Sequence, residues 1–70
     1  MKKILSEVTG SVWKVMAQPG QALQAGDTIL VVESMKMEIP VTCEQAGTLR
    51  EVFVAESEMV QEGQWLATLD

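Results

Sequence analysis

Gln18-Pro19-Gly20-Gln21 decides whether this chain is helical or extended. Proline followed by glycine is strongly unfavourable inside a helix, because one removes a backbone donor and the other costs conformational entropy. The same pair suits the centre of a type II turn, whose third residue needs φ above zero. Thirty-seven residues further on stands Ala55-Glu56-Ser57-Glu58, in a region where Leu49, Val52, Phe53, Met59 and Val60 could line one face of a helix. Read alone, that region is ambiguous. Read as a copy of the first, it is not.

The copy is visible when the sequence is shifted by 37 residues, which sets Glu7–Glu33 on Glu44–Asp70 without a gap. Glu7/Glu44, Gly10/Gly47, Val15/Val52, Gln24/Gln61 and Gly26/Gly63 are identical. Val12/Leu49, Leu23/Val60, Ile29/Leu66 and Val32/Leu69 keep their apolar character. Five identities in 27 pairs would not exclude coincidence, but glycines fall on glycines and core candidates on core candidates. Each copy then reads as strand, turn, short strand, a turn at Gly26 or Gly63, and another strand. The spacing Val12–Val15–Ala17, echoed by Leu49–Val52–Val54, begins at three and ends at two, which a β-bulge early in each strand explains. Two such units, each too small to hold a core, are expected to face each other as a flattened sandwich or barrel. The fold class is all-β.

A length of 70 residues, taken as one domain over 1–70, is consistent with that reading. The net charge is −5, with the five basic residues scattered, which argues against nucleic acid or an anionic membrane as partner. One cysteine, Cys43, cannot make an internal disulfide, and with no histidine there is no metal-ligand set. Catalysis by acid–base transfer at neutral pH would have to proceed without an imidazole, so an enzyme in its own right is not expected. The start has no signal-peptide core and no apolar run reaches membrane-spanning length, so the expected location is the cytoplasm.

Between the copies lies Ser34 to Cys43, which the repeat does not cover. Ile29–Glu33 and Glu38–Thr42 are both β-prone, with Pro40 marking an edge strand. The chain must therefore reverse through Ser34-Met35-Lys36-Met37. A two-residue hairpin turn wants φ above zero at both central positions, a place normally filled by Gly or Asn. Here Met35 and Lys36 would fill it, at a cost that is typical of functional sites. A lysine on a hairpin is most often a gatekeeping surface charge, and a methionine is most often a gap-filler. Two methionines flanking one lysine at an exposed tip do not look like gap-filling. They form a flexible apolar collar of the kind that successive partners can grip.

Glu33-Ser34-Met35-Lys36-Met37-Glu38 closely resembles the attachment motif of the biotinyl/lipoyl attachment domain family, biotinyl branch. The resemblance extends over essentially the whole chain, with 34 residues after the lysine and two related halves. It implies a flattened β-barrel of two four-stranded antiparallel sheets with an internal pseudo-two-fold axis. It also implies that Lys36 carries covalent biotin and that Met35 and Met37 are read by partners. Those partners would be a biotin protein ligase, a biotin carboxylase and a carboxyltransferase, as in acetyl-CoA carboxylase or a related acyl-CoA carboxylase of fatty acid biosynthesis. The chain departs from the family pattern at Ser34, where many members have Ala, and at Glu7-Val8-Thr9-Gly10, which keeps only the Gly of Pro-Met-Pro-Gly. Gln18–Asp27 has no room for the extra loop of some acetyl-CoA carboxylase carriers, and no Pro/Ala-rich linker precedes the domain, so a small free-standing carrier is expected. Two alternatives are a lipoyl carrier of a 2-oxo acid dehydrogenase complex, which usually shows Asp-Lys-Ala at the tip, and an unmodified β-barrel interaction module. The repeat adds one geometric expectation: Met1 and Asp70 should lie together, at the end opposite Lys36.

Overall fold

The computed structural model describes residues 2–70. The chain runs through β1 (Lys2–Leu5), β2 (Gly10–Val15), β3 (Ala22–Leu23), β4 (Thr28–Ser34), β5 (Met37–Thr42), β6 (Gly47–Val52), β7 (Met59–Val60) and β8 (Trp65–Leu69). Two four-stranded antiparallel sheets result, ordered β1-β8-β6-β3 and β5-β4-β2-β7. The all-β expectation holds, and the described residues contain no helix that could cross a membrane.

The 37-residue shift is written into the topology. Adding it to β2 and β3 reproduces the limits of β6 and β7, and it carries β1 onto β5 and β4 onto β8. One sheet order therefore becomes the other, as a pseudo-two-fold axis between the sheets requires. The four apolar pairs read from the sequence, Val12/Leu49, Leu23/Val60, Ile29/Leu66 and Val32/Leu69, are all buried in the core between the sheets. The expected bulges are present too. Strand register slips between Val12 and Lys14 against β4, and between Leu49 and Glu51 against β8, leaving Trp13 and Arg50 as the extra residues.

The turn that decided the fold has the expected form. Gly20 has φ of 92°, and the Gln21 N–H donates to the Gln18 carbonyl at 3.1 Å. In the second copy the Glu58 N–H donates to the Ala55 carbonyl, also at 3.1 Å, but the left-handed position is held by Ser57 with φ of 76°. A side chain there costs about 1–2 kcal/mol that glycine does not incur. Ser57→Gly is therefore expected to stabilise the fold by about 1 kcal/mol, a rise in Tm of about 4–8 °C for a domain this small. Thermal unfolding followed by circular dichroism checks this, and a lower Tm would refute it.

β1 and β5 are the edge strands on one side, and each carries a deterrent to further pairing. β1 exposes Lys2 and Lys3, and β5 contains Pro40, which has no N–H to offer a neighbour. Met1 lies outside the described residues, and its expected proximity to Asp70 lies outside them with it. Lys2 pairs with Leu69 across β1 and β8, so the two ends of the described chain are adjacent.

Candidate functional site at the hairpin tip

β4 and β5 pair from Thr28↔Thr42 up to Ser34↔Met37, leaving Met35 and Lys36 as the two-residue connection. Their φ angles are 52° and 67°, so both sit in the left-handed region that the sequence reading required. Neither side chain suits that conformation, which costs on the order of 1–2 kcal/mol for each residue. The ladder beneath the turn holds it there. Val32, fully buried, faces Ile39 across the two strands, and Glu33 faces Glu38 one step nearer the tip.

Two further elements brace the hairpin from outside. At Gly10, the first residue of β2, a Cβ would collide with the Glu33 carbonyl oxygen, so the absence of a side chain lets β2 close against β4. The Ser34 hydroxyl donates to the Thr9 carbonyl at 2.8 Å, and the Thr9 hydroxyl accepts the Glu62 N–H at 3.1 Å. The tip is thereby tied to the β1–β2 loop and, through it, to the β7–β8 loop. Thr9, Gly10 and Glu62 were not among the residues read as functional. Gly10 left a trace as the glycine shared by both copies, and Thr9 only as part of the stretch Glu7-Val8-Thr9-Gly10 that departs from the family pattern.

Met35 and Lys36 project from the end of the sheet, with Met37 exposed beside them. Among the described residues the Lys36 ammonium makes no hydrogen bond or ion pair, and the tip lies open to a long substituent. The other lysines are differently placed. Lys2 and Lys3 lie in β1, where the Lys2 ammonium donates to the Ala46 carbonyl at 3.3 Å and Lys3 sits 4.7 Å from the Trp65 ring centre. Lys14 lies within β2. Only Lys36 is in a turn.

Lys2 and Leu69, paired across β1 and β8, lie away from this tip. The last residue of β1, Leu5, leads into Ser6, whose N–H donates to the Gln64 carbonyl at 2.9 Å and whose carbonyl accepts the Gly63 N–H. Those residues adjoin Glu62, Thr9 and Ser34, so the Leu5 end of β1 belongs to the tip end of the barrel. From there β1 runs back to Lys2, about 10 Å away at roughly 3.3 Å per residue.

The architecture is a sheet pair related by an internal pseudo-two-fold axis, with one strained lysine turn at the end remote from Lys2 and Leu69. The family model described as "Biotin-requiring enzyme" matches residues 3–69, and the chain belongs to that biotin/lipoyl attachment family. Within it, the chain is similar to the biotin/lipoyl attachment protein of Bacillus subtilis (strain 168), with 36% identity over 63 residues, covering 90% of this chain and 86% of that one. It is also 35% identical over 66 residues to the biotinylated protein TB7.3 homolog of Mycobacterium leprae (strain TN), covering 94% of this chain and 93% of that one. These relatives place it in the biotinyl branch. Among solved structures, the Kluyveromyces lactis urea carboxylase superposes with a TM-score of 0.95 at 30% identity over 99% of this chain. This chain corresponds to 6% of that far longer one.

Proposed function

We propose that Lys36 is the acceptor of covalent biotin, and that the domain carries carboxylate between two active sites of a biotin-dependent carboxylase. The carrying observation is the left-handed Met35-Lys36 turn, which fixes one lysine amine at the far end of the barrel with room around it. A biotin protein ligase would supply biotin as an activated acyl group. The Lys36 amine, having given up a proton, would attack that acyl carbon, and an amide would form as the activating group leaves with its bonding electron pair and nitrogen loses a second proton. Biotin held on Lys36 would supply a ureido nitrogen able to carry carboxylate from a biotin carboxylase to a carboxyltransferase. The protein contributes presentation. Its tether makes each encounter effectively intramolecular, and the exposed flanks Met35 and Met37 offer an adaptable surface to both enzymes.

The acceptor we assign to the carboxylase is an acyl-CoA, with acetyl-CoA carboxylation for fatty acid synthesis as the leading case and the cytoplasm as the site of action. The urea carboxylase likeness supports a carboxylase setting, and the biotinylated relative supports biotin over lipoate. Co-expression with a biotin protein ligase, followed by a streptavidin blot and peptide mass spectrometry, tests the reading. Biotin on Lys36 is the expected result. A lipoyl adduct there, or an unmodified chain, would overturn it.

The turn geometry makes a sharper demand. Exchanging Met35 with Lys36, or Lys36 with Met37, keeps composition, charge and hairpin length, so stability should change by no more than about 1 kcal/mol. The amine moves, however, either to the first turn position or into β5 opposite Ser34. A displacement of about 1 Å from attack geometry can cost a hundredfold in rate. Both exchanged variants are expected to fold and to remain largely without biotin under conditions that load the parent fully. Loading of either at the parent rate would show that the ligase reads neighbouring chemistry and not the place of the lysine on the turn.

A further inference from the structure

The chain holds six sulfur atoms, five in methionines and one in Cys43. Cys43 is 1% exposed and its thiol donates to the Gln24 carbonyl at 3.0 Å, so it is shielded from solvent oxidants. Among the described methionines the order of exposure is Met35 at 92%, Met59 at 67%, Met37 at 64% and Met16 at 52%. Met16 follows β2, and Met59 lies in β7 opposite Ser11, which itself faces Glu33 of β4, whereas Met35 and Met37 bracket Lys36 directly. Met35 owes its exposure to the backbone. With φ of 52° at one end of a two-residue turn, its side chain leaves the sheet and has no strand neighbour to lie against.

Thioether oxidation needs access to the sulfur and little else. We propose that Met35 is a site of reversible oxygen-transfer modification, and that this modification gates attachment at Lys36. The oxidant is hydrogen peroxide or another two-electron oxygen donor. A sulfur lone pair attacks one peroxide oxygen, an S–O bond forms as the O–O bond breaks, and the second oxygen leaves as water after taking up the protons. Sulfur is oxidised by two electrons and the peroxide is reduced by two. The return step uses a dithiol through methionine sulfoxide reductase, which removes the oxygen as water and leaves a disulfide.

The product is a polar, chiral sulfoxide in place of a flexible apolar arm, directly beside the amine. A partner surface shaped to seat an apolar collar loses that contact and must desolvate the S=O group as well. The gating half of this inference rests on the reading of Lys36 as the biotin acceptor; the site of oxidation does not.

The test treats the unloaded parent with limiting hydrogen peroxide, quenches with catalase, and maps the added oxygen by peptide mass spectrometry. The sample is then given biotin, ATP and a biotin protein ligase. Each protein is scored by the ratio of its own loading rates after and before peroxide, for the parent and for a variant carrying Met35→Leu and Met37→Leu. The expected result is oxygen on Met35 before Met59 or Met16, and a loading ratio at least about fivefold below one for the parent. The ratio should stay near one for the double variant, and methionine sulfoxide reductase should restore the parent. Oxidation of Met59 or Met16 ahead of Met35 would overturn the site. An unchanged parent ratio, or an equal fall in the double variant, would overturn the gate. If the untreated parent takes no biotin at all, the proposed function fails, and the oxygen map alone still decides the site.

Discussion

Lys36→Arg is expected to abolish biotin uptake completely while leaving the barrel folded. Arginine keeps the positive charge and the long aliphatic stem, so the tip changes little in packing or electrostatics. It has no amine that can form the amide, since its guanidinium stays protonated and delocalised. No other lysine can substitute. Lys2 and Lys3 are held along β1 and Lys14 lies within β2, and none can approach an activated acyl group from a free turn. Intact mass and a streptavidin blot after co-expression with a ligase give the readout, with circular dichroism confirming the fold. Any residual streptavidin signal in this variant would remove Lys36 from its role.

The largest effect on stability is expected at Gly10. A glycine-to-alanine change in an ordinary strand gains up to about 1 kcal/mol by restricting the unfolded chain. Here the new methyl group would meet the Glu33 carbonyl oxygen and also crowd Val32. A backbone atom in the middle of a paired sheet cannot rotate aside, so β2 must draw away from β4. Overpacking of this kind costs about 1–3 kcal/mol, and Gly10→Ala belongs at the upper end. That is a large share of the few kcal/mol available to a 70-residue chain. The pseudo-symmetric change provides the control. At Gly47 the added carbon would lie 2.7 Å from the carbonyl oxygen of Asp70, a residue beyond the end of β8 that is freer to yield. Gly47→Ala should therefore cost less than half as much. Urea unfolding of both variants decides the matter, and equal losses would mean that the β2–β4 contact is not the cause.

Gly10→Ala should also slow biotin attachment at temperatures where the variant is still folded. Glu33 is the residue pushed by the new methyl group, and it stands two positions before Met35. A readout of both stability and loading rate would separate a tip that has moved from a barrel that has merely weakened.

Much of this architecture was legible because the molecule is built twice. Pro19-Gly20 resolved a stretch around Phe53 that hydrophobic spacing alone would have allowed as helix. The change from three to two in the spacing after Val12 and Leu49 marked bulges that the strand registers contain. The tip could be read because two β-prone runs left only Met35 and Lys36 to turn the chain. What escaped notice shares a different physical character. Ser57 takes a left-handed conformation with no glycine to announce it, held by the Ser57 N–H donating to the Val12 carbonyl at 2.7 Å. The brace from Ser34 to Thr9 to Glu62 spans 25 and then 53 positions of sequence. Hydroxyl-to-backbone contacts of that range have no period and no local composition. Only the folded chain brings them together.

The adjacency of Lys2 and Leu69 makes the barrel, in effect, a closed ring interrupted at one point. Rings of this kind are indifferent to where they are cut. A permuted gene that joined the present ends through a short spacer and opened at the Glu56-Ser57 turn would retain every strand pairing. The same property suits the unit for use as a cassette, because a host polypeptide can enter on one strand and leave on its neighbour with little distortion. Both host segments then emerge at the pole remote from the lysine. In the proposed role, the body of the domain, 30 Å in its longest dimension, would stand between those segments and the cargo and add to the reach of the tether.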